Sequence, residues 1–64
     1  MKDSKTQILE RLEEILEGKT GIKKALAGQY VYGFLVASRD LKAISEEEYQ
    51  EIRDSLIARF GRFA

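Results

Sequence analysis

Apolar residues recur at helical spacing in the first and last thirds of this chain. The stretch between them, Ala25 to Ala37 (ALAGQYVYGFLVA), is apolar on nearly every side. In the first third, Ile8, Leu9, Leu12, Ile15 and Leu16 fall at i, i+1, i+4, i+7 and i+8, one stripe of an α-helix. Glu10, Glu13, Glu14 and Glu17 lie off that stripe. Ser4 and Gln7 read as an S-x-x-Q capping box and Gly18 as a C-terminal stop, which predicts a helix over about 4–17.

Thr20 can cap a second helix, predicted over about 21–41, and this one carries two apolar faces. Ile22, Leu26, Tyr30, Phe34, Ala37 and Leu41 lie within about a third of the circumference and read as the face packed on the other helices. Ala25, Gly28, Tyr32, Leu35 and Arg39, flanked by Val31 and Val36, repeat at 3-4-3-4 spacing, that of an a/d seam between helices. No internal partner is evident for this second face. Ala25, Gly28, Tyr32, Leu35, Val36 and Arg39 are therefore the expected self-association or partner interface, with Tyr32 as its anchor. Gly28 and Gly33 each cost about 1 kcal/mol relative to alanine inside a helix. They read as points of close approach by another backbone, a kink or break being the alternative.

The third helix, predicted over about 46–60, has the clearest start signal. Ser45 and Glu48 form a capping box, and Ile44 and Tyr49 stand at the two positions of a hydrophobic staple. Glu46, Glu47 and Glu48 place negative charge in the first turn, where the helix dipole favours it. Tyr49, Ile52, Leu56 and Phe60 form the expected buried stripe, and Gly61 ends it. The short connection at Lys42 to Ile44 predicts an antiparallel hairpin of the second and third helices. Phe63, beyond the last helix, is expected either to cover the second face or to reach a neighbour. The fold class is thus all-α: a single three-helix domain with a central helix, expected to be homo-oligomeric.

Length sharpens that expectation. A chain of 64 residues buries only about 60% of its unfolded surface and usually needs reinforcement. With no Cys and no His, disulfides are excluded and a transition-metal site is not expected. Self-association remains. Lys plus Arg and Asp plus Glu number 11 each, and a balanced charge argues against the basic field typical of nucleic-acid binders. The polar start Met1-Lys2-Asp3 and the shortness of the apolar run, against the roughly 20 residues a bilayer demands, make a cytoplasmic location and no membrane partner the expectation.

Candidate chemistry is sparse. The usual thiol nucleophile and imidazole base are missing, and Ser4, Ser38, Ser45 and Ser55 have no evident activating base. Carboxylate pairs such as Glu13 with Glu17 and Glu47 with Glu51 read as solvated helix faces. No enzyme activity and no cofactor are expected. Lys19, Lys23, Lys24 and Lys42 are the alternative nucleic-acid contacts, which dimerisation would have to join into one basic stripe. Against this, Glu46, Glu47 and Glu48 would repel phosphates from the start of the third helix.

The segment L41-K-A-I-S-E-E-E-Y-Q-E-I-R-D-S-L-I57 resembles the SHOCT family of short helical modules, over about residues 35–58. The likeness is carried by Ile44, Ser45, Glu46, Glu47, Glu48, Tyr49 and the closing Leu56-Ile57. Lys42-Ala43 stands where the family usually has a small residue followed by glycine. Similar hairpins occur in many small proteins of phages and mobile elements. The resemblance implies an oligomerisation or adaptor role, nucleic-acid contact sometimes being proposed, and no catalytic residues. From the residues themselves the expected function is a small protein-interaction module (adaptor, regulator or inhibitor) acting as a homodimer or higher homo-oligomer, with an unidentified protein partner. The alternative is a small nucleic-acid-binding regulator.

Overall fold

In the computed structural model, which describes residues 2–62, three α-helices follow one another: α1 (Ser4–Leu16), α2 (Gly21–Asp40) and α3 (Glu46–Phe60). No strand occurs among the described residues. Phe63 lies outside them.

Local chemistry accounts for the helix ends. α1 is capped by Asp3 rather than Ser4: the Asp3 carboxylate accepts from the Thr6 backbone N–H at 2.8 Å. The expected reciprocal box with Gln7 is absent, and the Gln7 amide donates to the Lys2 carbonyl instead. The Thr6 N–H favours the ionised form of Asp3 and holds its pKa below the usual carboxylate value. Gly18 turns the chain at positive φ, as its place after the stripe predicts. Thr20 occupies the N-cap position of α2, but its side chain makes no capping hydrogen bond. At α3 the capping box forms in full. Ser45 Oγ accepts from Glu48 N–H at 3.0 Å, and the Glu48 carboxylate accepts from Ser45 N–H at 2.8 Å. Ile44 and Tyr49, the staple residues, are both buried.

Leu12 and Leu16 of α1, Val31 and Leu35 of α2, Ile44, and Tyr49, Ile52 and Leu56 of α3 make the core. Ile8, Leu9, Ile15, Ala27, Val36 and Phe60 pack around it. Ion pairs fix the register of the outer helices. Lys5 meets Glu51 at 3.2 Å, and Arg59 reaches Glu13 at 3.1 Å and Glu17 at 2.8 Å. Early residues of α1 thus lie beside early residues of α3, so the two run parallel and α2 runs against both. Exposed pairs of this kind contribute about 0–1 kcal/mol each, so burial holds the bundle and charge aligns it.

The α2–α3 turn closes α2 with a Schellman motif. The N–H of Ala43 donates to the Ser38 carbonyl at 2.8 Å and that of Lys42 to the Arg39 carbonyl at 3.0 Å. Lys42 takes the left-handed position at φ 62°, the place where glycine is normally preferred. A side chain there is strained, while glycine relieves the strain at some cost in unfolded-state entropy. Lys42→Gly is expected to stabilise the fold by about 0.5–1 kcal/mol, read as a rise of a few degrees in the thermal midpoint. An unchanged or lowered midpoint would show that the turn carries no such strain.

Candidate interaction surface

α2 is continuous through both internal glycines, and only one side of it is covered. Gly28, Val31, Leu35 and Ser38 are buried, with Ala27 and Lys24 half-buried beside them. The opposite side carries Ile22, Leu26, Tyr30, Phe34 and, just past the helix end, Leu41, all exposed. Leu26 is 61% and Tyr30 59% exposed, whereas Leu35 is 0% exposed.

The structure reverses the central residues of the two faces anticipated from the sequence, while Ala25 and Tyr32 remain exposed. The stripe Ile22, Leu26, Tyr30, Phe34, Ala37, Leu41, expected to pack inward, points out. Gly28 and Leu35, expected at an interface, lie under the chain's own α1 and α3. The physical reason is space. A helix gripped by two neighbours at once has room for small side chains at the contact, which Ala27, Gly28 and Ser38 supply; α1 and α3 bring the large leucines. Two tyrosine or phenylalanine rings on that face would hold the helices apart.

The other expected interface residues sit at its margins. Ala25 is exposed, Val36 half-buried against the core, and Tyr32 exposed at 44% on the edge of the covered face. Arg39 is engaged internally. Its guanidinium lies 4.5 Å from the centre of the Tyr49 ring and 3.5 Å from carboxylate oxygens of Glu46 and Asp40. It straps α2 to α3.

On the open side the Tyr30 and Phe34 rings stack one turn apart, centroids 6.3 Å apart and tilted by 31°. Gly33 lies between them and Ala37 on the same side. A Cβ added at Gly33 would meet nothing within 4 Å. Towards α1 the surface dips into a shallow groove of about 470 Å³ with Ile15, Leu26, Ala27 and Tyr30 below and Arg11, Lys19 and Lys23 on its rim. Reading the sequence missed this groove, because its residues come from two helices and a turn.

The lysines offered as nucleic-acid contacts are not brought together. Lys19 and Lys23 border the groove. The Lys24 amine lies 3.8 Å from where a Gly61 side chain would begin, at the α3 end. Lys42 stands in the turn beyond the far end of α2, and about 26 Å of helix separates Lys23 from the last helical residue, Asp40. The four carboxylates Glu10, Glu13, Glu14 and Glu17 share a different, shallow depression with Arg59. No metal-binding group of acidic side chains occurs among the described residues. Nor, among them, is any helix long and apolar enough to cross a membrane.

No protein-family model, no curated protein and no solved structure matches the chain.

Truncation separates the two faces of α2. Leu35→Ala should destabilise by about 2–5 kcal/mol through the cavity it leaves. Leu26→Ala should change monomer stability by less than about 0.5 kcal/mol. Denaturant unfolding at low micromolar concentration measures both; equal effects would contradict the orientation of α2.

Proposed function

We propose that this chain is a protein-interaction module in which α1 and α3 are the scaffold and the outward face of α2 is the working surface. The reading rests on one observation: Ile22, Leu26, Tyr30, Phe34 and Leu41 stand exposed in a single row on one helix. Scattered exposed apolar side chains are ordinary, but a contiguous row on a rigid element is a surface that another polypeptide covers. The chemistry of the face fits that use. Tyr30 and Phe34 offer large, stiff rings with few rotamers to freeze, and the rim around them is charged. In this role the module acts by occupying a surface, as an adaptor, regulator or inhibitor does. It works as a homo-oligomer.

The paired substitution Leu26→Asp with Phe34→Asp tests the proposal. Both side chains stand on the open side of α2, so circular dichroism and the thermal midpoint at low concentration should stay close to those of the parent. Light scattering at high micromolar concentration, and co-purification from the native host, should show association in the parent and its loss in the variant. A parent that stays monomeric and brings down no specific protein would defeat the proposal.

A further inference from the structure

Besides the oblique apolar row, the outward face of α2 carries two rows that run nearly parallel to the helix axis. Lys23, Tyr30 and Ala37 recur every seven residues, and Leu26, Gly33 and Asp40 recur every seven residues three positions later. These are the a and d rows of a helix–helix seam, running from Lys23 to Asp40 over about 26 Å. This is not the seam expected from the sequence, which placed Gly28 and Leu35 at the contact; those two are inside.

Gly33 supplies the second observation. It sits in the interior of a helix, on its open side, with nothing near the position a side chain would occupy. Glycine is the poorest helix former after proline, and nothing inside the subunit calls for it there. It makes sense where a neighbour's side chain must settle against the backbone.

From this pattern we infer that α2 pairs with α2 of a second copy of this chain, antiparallel, about a two-fold axis near the middle of the helix. The assignment rests on the interaction reading given above and names its occupant. In an antiparallel seam each a residue lies beside a d residue of the other helix. Tyr30 then fits over the second copy's Gly33, and Leu26 beside the second copy's Ala37, a large side chain with a small one each time. Lys23 lies beside the second copy's Asp40, opposite charges at both ends. The two-fold repeats every layer. A parallel pairing would instead set Lys23 against Lys23 and Asp40 against Asp40, with glycine facing glycine across an unfilled gap. Size and charge both select the antiparallel arrangement.

The chain has no cysteine, so introduced thiols report on the seam alone. The Leu26→Cys and Ala37→Cys proteins are prepared separately, mixed and mildly oxidised, and the products are separated by mass. The expected result is the mixed disulfide, with little of either homodisulfide. Homodisulfides of each variant in place of the mixed species would overturn the antiparallel register. A second pair of variants, Lys23→Asp and Asp40→Lys, should each raise the dimer dissociation constant about tenfold or more, and mixing the two should restore association. Both positions are solvent-exposed, so circular dichroism should show the fold intact. If the parent is monomeric by light scattering and the two cysteine variants form no mixed disulfide, yet a host protein bound by the parent is lost with Leu26→Asp and Phe34→Asp, the self-pairing and the homo-oligomer fall while the protein-interaction reading stands. If neither self-pairing nor that host protein is found, both fall.

Discussion

A helix that is apolar around most of its circumference needs neighbours on more than one side to be fully covered. α2 has two, α1 and α3, and both lie on the same side, because the short turns at either end of α2 fold the outer helices back together. Two helices cover about half of a third. The remainder of α2 stays in water, and each large apolar side chain left there forgoes part of the roughly 1.5–3 kcal/mol that full burial would supply. The geometry of the bundle and the existence of its open face therefore have one cause. The small residues Ala27, Gly28 and Ser38 let two scaffold helices approach on the side where Val31 and Leu35 are buried, and Leu26, Tyr30 and Phe34 are left on the other.

Where one sequence feature settles one structural feature, the chain can be read directly. Ile44, Ser45, Glu48 and Tyr49 determine how α3 begins, and nothing elsewhere competes with them. The stripes of α1 and α3 each have one apolar side, so Leu12, Leu16, Ile52 and Leu56 could only face inward. α2 resisted the same treatment because its hydrophobic pattern has almost no direction. That it has a covered and an open face was legible; which was which was not. The narrow arc shared by Ile22, Leu26, Tyr30 and Phe34 favoured Tyr30 and Phe34 as core, whereas the decisive variable was how closely two other helices must come. Arg39 held the missing clue. Its ordinary partners, the Glu46 carboxylate and the Tyr49 ring, lie on α3, and placing it there would have turned Leu35 inward with it. The start of α1 shows a milder version of the same problem: Asp3 and Ser4 can both cap, and the carboxylate of Asp3 took the Thr6 N–H.

The end of α2 nearest α3 is held more firmly than its length alone would require. The Schellman turn, the Arg39 guanidinium over Tyr49 and the buried Ile44–Tyr49 staple all act within a few residues. Together they leave α2 little freedom to roll about its axis. A roll of about 100°, one residue on the helical wheel, would carry Leu26 and Tyr30 towards the core and expose the buried row in their place. Lys42 accepts a left-handed backbone position in the tight turn that prevents this. The hydrogen-bonded turn, rather than the strain at Lys42, thus keeps the face pointed outward.

Stability and association are consequently not independent in a molecule of this kind. The core that α1 and α3 build on the inner side of α2 is small, and the apolar area that could enlarge it faces away. Any polypeptide that covers the outer face binds the folded chain and not the unfolded one, so it adds to stability in proportion to the logarithm of its concentration. A second copy is the occupant that rises with the protein's own concentration. Under the proposed self-pairing, how well the subunit is folded would depend on how much of it is present. Outward-facing Leu26, Tyr30 and Phe34 would, under the proposed pairing, become the interior of an assembly with a larger core than the subunit's own.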